Sequence, residues 1–143
     1  MNFLEKTSSN ETVRFILVSA ALVCILLAIE SCREVIDYKG KFRINSREID
    51  NSLADSVLIY GKVVSAIDTL SPMADARIWV DKLSKSTQSN LNGLYILKIP
   101  AGIFTIYCKE DFGADEFTES IKDLTLLPNE KVEIDFYLGG RVE

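Results

Sequence analysis

From Ser56 onward, apolar and polar residues alternate with a period of two in most short runs. Successive side chains of a β-strand point to opposite faces of a sheet, so this alternation predicts strands that each have one apolar face. No run shows the period of an amphipathic helix, and the pattern over 117–127 indicates a weaker strand. The predicted inward-facing sets are Val57/Ile59/Val63, Ala76/Ile78/Val80, Tyr95/Leu97/Ile99, Phe104/Ile106/Cys108 and Val132/Ile134/Phe136/Leu138.

Turn signals separate these runs. Asn92-Gly93 favours a tight hairpin, because both residues accept positive φ. Pro100-Ala101-Gly102 and Leu127-Pro128-Asn129-Glu130 mark strand ends, since proline cannot donate to a sheet ladder. Short strands at regular spacing predict an all-β fold: an antiparallel Greek-key β-sandwich of about seven strands over residues 56–140.

The segment before this region, residues 32–55, is mostly polar and charged. Its composition predicts a polar tether rather than part of the sandwich. A second interpretation stays open, because Ile36, Tyr38, Phe42 and Ile44 share one side of a two-residue period. They would then form an extra strand over 36–44 at the edge of the domain.

The one long apolar run, Phe15–Ile29, has 15 residues and follows Arg14. A helix needs roughly 20 apolar residues to cross a bilayer, so the run fits the core of a signal peptide better than a permanent anchor. With the junction Ile29-Glu30-Ser31-Cys32, residues 1–31 resemble a bacterial lipoprotein signal peptide with a signal helix. The resemblance implies lipid attachment at Cys32, a membrane partner through that lipid, and a place in the bacterial cell envelope.

By the same resemblance, the lack of an aspartate after Cys32 favours the outer membrane, on either its periplasmic or its surface face. An uncleaved N-terminal membrane helix with an incidental cysteine is the alternative. Of the other cysteines, Cys24 lies inside the apolar run and Cys108 lies in an apolar alternation. Three such cysteines make no disulfide framework, and Cys108 is expected to be a buried, inert thiol.

Charge and residue types exclude several classes of function. The net charge is -5 and no basic stripe is present, so nucleic acid is not an expected partner. The chain has no histidine, which removes the usual catalytic triads and the commonest zinc ligand. We therefore expect no catalytic residue, no cofactor and no metal.

One acidic cluster is the only candidate for acid–base or metal chemistry. It consists of Glu110, Asp111, Asp115, Glu116 and Glu119. A solvated loop is the expected interpretation. Calcium binding is the alternative, because carboxylate oxygens suit that ion, although the spacing matches no known calcium loop.

Aromatic residues form the candidate binding surface. By the alternation, Tyr60, Trp79, Tyr107 and Tyr137 point away from the core. Exposed aromatic side chains on a sheet serve as binding anchors and stack on sugar rings. The competing interpretation is ordinary cross-strand packing.

The ordered series of turns also resembles the carboxypeptidase regulatory-like domain over about residues 57–139. The resemblance rests on three segments: 61–80 (from Gly61-Lys62-Val63 to Arg77-Ile78-Trp79-Val80), 86–106 (including Asn92-Gly93-Leu94-Tyr95 and Pro100-Ala101-Gly102) and 124–136 (including Leu127-Pro128-Asn129-Glu130). It implies a transthyretin-like (prealbumin-like) sandwich of seven strands that carries no catalytic residues.

Together these features predict a lipid-anchored accessory module of the cell envelope that binds a protein or a glycan and is not an enzyme. Three alternatives remain. The chain is a non-catalytic regulatory subunit of a peptidase system, an uncleaved single-pass membrane protein with a structural role, or an envelope protein whose edge strand pairs with a neighbour.

Overall fold

The computed structural model describes residues 36–111 and 117–142, and the fold they form is all-β. They belong to one compact unit, Ile36–Val142. Its ten strands are β1 (Ile36–Tyr38), β2 (Lys41–Ile49), β3 (Ser56–Ser65), β4 (Arg77–Val80), β5 (Ser86–Gln88), β6 (Leu94–Pro100), β7 (Gly102–Lys109), β8 (Glu119–Leu126), β9 (Glu130–Leu138) and β10 (Gly140–Val142). A short 3₁₀ turn, Asn51–Leu53, lies between β2 and β3.

Eight of these strands form two four-stranded sheets, and β1 and β10 form a separate ribbon. Sheet 1 has the order β2-β9-β3-β6, and sheet 2 has the order β5-β4-β7-β8. All strand pairs are antiparallel except β3 with β9, which run parallel. The prediction of an all-β sandwich is confirmed, with eight strands in its two sheets instead of about seven.

The predicted apolar faces meet in one core between the two sheets. Ile59, Ile78, Ile106, Ile134 and Phe136 are fully buried in it. Each fully buried aliphatic or aromatic side chain contributes roughly 1.5–3 kcal/mol to folding. Of the predicted inward-facing residues, only Phe104 is partly exposed; it packs against the edge of this core.

The predicted turns are present, but each joins the two sheets instead of neighbouring strands in one sheet. Asn90-Leu91-Asn92-Gly93 connects β5 to β6, with the Gly93 amide donating to the Asn90 carbonyl (2.8 Å) and Gly93 at a φ of 73°. Ala101 lies between β6 and β7, and Pro128-Asn129 lies between β8 and β9. The hairpin predicted at Asn92-Gly93 is therefore a link between the layers of the sandwich. The weaker strand predicted over 117–127 is β8.

The largest departure from expectation is the segment assigned to a polar tether, residues 32–55. In the structure 36–38 and 41–49 are strands, and β2 is a full edge strand of sheet 1 paired with β9. The open alternative, an extra strand over 36–44, is closer to the observed fold. That alternation is broken at Lys39-Gly40, where the chain passes from the ribbon into sheet 1.

A charged pair attaches β2 to the rest of the sandwich. Arg47 donates from Nε to Glu130 Oε1 (2.6 Å) and from Nη2 to Glu130 Oε2 (2.9 Å). The same Nη2 donates to the carbonyl oxygen of Thr125 in β8 (2.6 Å), which belongs to the opposite sheet. Glu130 also accepts from the Leu127 amide (2.8 Å) and is buried. Arg47 therefore holds the edge of sheet 1 against sheet 2.

We predict that Arg47→Ala destabilises the detergent-solubilised protein by about 2 kcal/mol, because it leaves a buried carboxylate without its main partner. Arg43→Ala is the matched control, an exposed arginine on the same strand. Thermal unfolding followed by circular dichroism measures both. Equal melting temperatures for the two variants would contradict the role assigned to Arg47.

The pair also predicts how stability depends on pH. The hydrogen bonds from Arg47 hold the pKa of Glu130 below its ordinary value of 4.5. A carboxylate with a lowered folded-state pKa stabilises the fold above its unfolded pKa, and this stabilisation is lost as pH falls through the folded value. Acidification below about 4.5 should therefore destabilise the wild type more than Arg47→Ala.

Candidate binding site

The four predicted surface aromatics do lie on the outer faces of the sandwich, but they do not form one surface. Tyr60 in β3 and Tyr137 in β9 belong to sheet 1, whereas Trp79 in β4 and Tyr107 in β7 belong to sheet 2. All four are partly exposed. Within sheet 1, Tyr60 is paired in register with Glu133, so Tyr137 lies four residues further along the neighbouring strand. The candidate surface therefore separates into pieces.

On sheet 2, Trp79 and Tyr107 are cross-strand partners that stack on each other. Their ring centroids are 5.2 Å apart and the rings are inclined by 11°. The guanidinium of Arg77 lies over the Trp79 ring at 5.6 Å from its centroid. Such contacts stabilise a sheet by roughly 0.5–1.5 kcal/mol each. They also occupy ring surface that a sugar would need for stacking.

The tyrosines of sheet 1 are covered in the same way. The Lys131 ammonium lies 5.0 Å from the centroid of the Tyr60 ring, and the Lys41 ammonium lies 5.0 Å from that of Tyr137. Lys41 and Tyr137 are direct cross-strand partners. Each of the four rings thus has a partner within the chain, as the cross-strand packing interpretation expects.

The outer face of sheet 1 also carries an apolar groove, which begins at Tyr60 and extends over β6. The groove has a volume of about 460 Å³, with Tyr60, Leu94 and Ile96 among the residues of its wall and Glu133 and Asp135 at its polar side. Ile96 is 64% exposed and Leu94 is exposed as well. We call this feature the β6 groove, defined by Asn45, Tyr60, Gly61, Lys62, Leu94, Tyr95, Ile96, Glu133 and Asp135.

A β-bulge in β2 shapes the polar side of the β6 groove. The register of β2 against β9 shifts between Ile44 and Ser46, which leaves Asn45 as an extra residue. Asn45 donates from Nδ2 to Asp135 Oδ2 (2.8 Å), and the Lys62 amide donates to Asp135 Oδ1 (3.0 Å). Asp135 is therefore buried although it points outward, and its carboxylate oxygens are engaged in holding the bulge.

Gly61 is needed at the same point because the two backbones approach closely. A Cβ atom at this position would overlap the carbonyl oxygen of Ile134. That carbonyl oxygen also accepts from the Tyr95 hydroxyl (2.8 Å) beneath the groove. Burial raises the pKa of Tyr95 well above its ordinary value, so the phenol remains a neutral donor even at a pH that would ionise an exposed tyrosine. The polar groups around the floor of the groove are thus structural.

Strand β6 is also the least protected edge of the two sandwich sheets. The edge strand β2 also exposes Phe42, Ile44 and Ile49, but it carries Arg43, Arg47 and Glu48 among them, and β5 has only three residues. Strand β8 contains a register shift in its pairing with β7. In contrast, β6 has seven residues, and its outward side chains are Leu94, Ile96, Lys98 and Pro100. Long apolar edges are where a further strand adds most readily, because they leave backbone donors and acceptors unpaired.

The acidic cluster is only partly within the described residues. Asp115 and Glu116 lie outside them, and Glu110 and Asp111 are exposed. Burial raises the pKa of Glu119, whose carboxylate lies next to Gly40. Across 36–111 and 117–142, no group of three or more acidic or cysteine side chains is placed to hold a metal ion.

Cys108 is buried in the core, as predicted. Burial raises the pKa of its thiol far above the ordinary cysteine value, so the reactive thiolate does not form at neutral pH. Cys32, the predicted lipid attachment site, lies outside the described residues. In the part of the chain that the structure describes, no helix is long and apolar enough to span a membrane.

The β6 groove was missed in the sequence because Leu94 and Ile96 lie on the polar side of a two-residue period. A signal was present nonetheless, since the run Leu94-Tyr95-Ile96-Leu97 is apolar on both faces. A strand that is apolar on both faces is either covered on both or exposed on one. Within residues 36–111 and 117–142, the outer face of β6 is uncovered, since Leu94 and Ile96 are exposed there.

No protein-family model matches the chain, and a search of curated proteins finds no match.

We predict that Cys108 does not react with a maleimide in the folded protein at neutral pH and reacts after unfolding in guanidinium. The expected difference follows from its burial and its raised pKa. Peptide mapping by mass spectrometry after labelling measures it. Labelling of Cys108 under native conditions would mean that the core opens far more readily than its packing implies.

Proposed function

We propose that this chain is a non-catalytic module of the bacterial cell envelope, attached to the outer membrane through lipid on Cys32, that binds an extended segment of another envelope protein at the edge of β6. The observation that carries the proposal is the β6 groove beside an unprotected sheet edge. A partner segment would add a strand to sheet 1 and place alternate apolar side chains against Leu94 and Ile96.

The proposal favours a protein over a glycan because of the aromatic rings. Sugar binding on a sheet needs an open ring face, and all four candidate rings contact Lys41, Lys131, Arg77 or each other. In contrast, Ile96 and Leu94 are exposed among the residues that the structure describes. An apolar edge that stays exposed in one copy of a protein is most simply explained by a partner that covers it.

The hydrogen bonds of the buried polar side chains support a non-catalytic role. Glu130, Asp135 and Ser89 are the buried polar side chains of the described residues. Each is engaged in hydrogen bonds that maintain the fold, Ser89 by accepting from the Ala76 amide (2.9 Å) and donating to the Met73 carbonyl (2.6 Å). None of them is aimed unpaired at a cavity. The sequence resemblance to carboxypeptidase regulatory-like domains points the same way, because those domains carry no catalytic residues.

The anchor is tested by the intact mass of the protein extracted from bacterial membranes. We expect a chain that begins at Cys32 and carries acyl mass, and we expect Cys32→Ala to lose that mass. Several acyl chains hold a protein on a membrane because each buried CH₂ contributes about 0.8 kcal/mol. A full-length, unacylated chain would show that the N-terminus is an uncleaved membrane helix instead.

The binding edge is tested by photo-crosslinking in intact cells, with benzoylphenylalanine in place of Lys98. We expect a discrete adduct that disappears when Ile96→Asp is added, because a buried carboxylate opposes docking at the apolar edge. The matched control places the crosslinker at Ile103, which is 58% exposed on the outer face of sheet 2.

The control position should give no discrete adduct. Equal adducts from both positions, or an adduct at Lys98 that survives Ile96→Asp, would overturn the proposed edge. An adduct of twice the chain's own mass would mean that the partner is a second copy of this chain and not another protein.

A further inference from the structure

The chain enters the sandwich very close to its predicted lipid. Only three residues lie between Cys32 and Ile36, the first residue of β1. Even a fully extended chain covers no more than about 14 Å over that distance. This inference rests on the proposed anchor at Cys32, and under that proposal no tether separates β1 from the bilayer. We call the end of the sandwich at which β1 lies the entry pole; it comprises 36–40, 66–76, 89–93 and 139–142.

Two leucines project from the entry pole. Leu70 is 89% exposed and Leu91 is 85% exposed, the highest values among the large apolar side chains described. Both belong to loops that connect strands at this pole: Leu70 lies between β3 and β4, and Leu91 lies between β5 and β6. Removing a leucine side chain from water is favourable, so two such residues at one end of the molecule indicate a surface that becomes covered.

Hydrogen bonds fix both loops in shape. In the first, the Ser71 amide donates to the Asp68 carbonyl (2.9 Å), and the Leu70 amide donates to Asp68 Oδ1 (3.1 Å). In the second, Asn90 Oδ1 accepts from the amides of Asn92 (2.9 Å) and Leu94 (3.0 Å). Each leucine therefore occupies a central position of a hydrogen-bonded turn. The backbone that holds it outward is already ordered, so exposing the leucine there requires no further loss of backbone entropy.

The two turns and the point of entry are contiguous. Gly93 lies directly against Pro72, which brings the turn of Leu91 beside the loop of Leu70. Ile67, from the same loop, lies against Gly140 of β10, and Gly140 is paired with Tyr38 of β1. The exposed leucines thus share one end of the molecule with the strand that leads to Cys32.

The charges of this pole do not favour an anionic surface. Arg141 is paired with Asp37 (2.9 Å), Asp68 is engaged in its own turn, and the exposed cation Lys39 is matched by the exposed anion Asp75. Glu110 and Asp111 add exposed negative charge at the same end. Attraction to anionic lipid is accordingly weak, and contact with a membrane would depend on the apolar side chains.

We propose that the entry pole docks on the bilayer to which Cys32 is attached, with Leu70 and Leu91 inserted among the lipid headgroups. The short connection holds these leucines near the membrane at a high effective concentration, so a modest apolar contribution is sufficient. The lipid then serves as an anchor and also fixes the orientation of the sandwich.

The test uses the full, membrane-extracted protein reconstituted into phosphatidylcholine vesicles. Leu70→Cys and Leu91→Cys are labelled with an environment-sensitive nitrobenzoxadiazole maleimide. Leu127→Cys is the control, because Leu127 is 53% exposed at the opposite end of the sandwich. We expect a blue shift and quenching by lipid spin-labelled high on its acyl chain at positions 70 and 91, and neither at 127.

A second substitution separates docking from chance proximity. Adding Leu91→Asp to the Leu70→Cys protein should lower the ratio of docked to undocked protein by about tenfold or more. The quenching at position 70 should then disappear. Adding Leu127→Asp should leave it unchanged. Equal exposure of positions 70, 91 and 127 to aqueous iodide would overturn the proposal, as would quenching that appears only when phosphatidylglycerol is included.

Failure of docking can be told apart from failure of the anchor. Cys108 is buried, so the protein without an introduced cysteine should take no label if Cys32 carries lipid and Cys24 has been removed. Labelling of this parent protein would refute the anchor. An unlabelled parent whose introduced cysteines at 70 and 91 show no quenching would refute docking alone.

Discussion

The parallel pairing of β3 with β9 is the constraint on which the rest of the structure depends. Parallel neighbours cannot be joined by a short turn, so all of β4 to β8 serves as the connection between these two strands. That pairing makes β9 an inner strand with a free second edge, and β2 fills it. The first and last parts of the described chain then meet at the same end, where β1 and β10 form their ribbon. The fold thus determines that the chain enters and leaves at one pole.

The sequence predicts β3, β4, β6, β7 and β9 well because each has buried apolar residues at a period of two. It fails for β2 for a physical reason. The bulge at Asn45 shifts the alternation by one residue, so Phe42 and Ile44 lie on the core side before it and Arg47 lies there after it. The inward position is then occupied by an arginine that pairs with buried Glu130, which no apolar pattern reveals. Such a strand has the composition of a linker.

The candidate surface shows a similar division. Alternation alone places the aromatic residues on the outer faces, and the structure agrees. Which sheet each ring belongs to depends on strand order, and whether its face is open depends on long side chains from neighbouring strands. Both are properties of tertiary structure. The β6 groove likewise depends on β6 being an edge strand, since the same apolar residues in an inner strand would indicate a second buried face.

The two proposals are compatible in space because they use different parts of the sandwich. The strands of sheet 1 run between the entry pole and the opposite end, and the edge of β6 lies along the side. With the entry pole on the bilayer, Leu94 would be the residue of β6 nearest the membrane and Pro100 the farthest. A partner anchored in the same membrane could then align beside β6 while it remains attached to that membrane. Fixed orientation would favour such binding. A sandwich on a flexible tether would lose its rotational freedom when the partner binds, whereas a docked sandwich has already lost it.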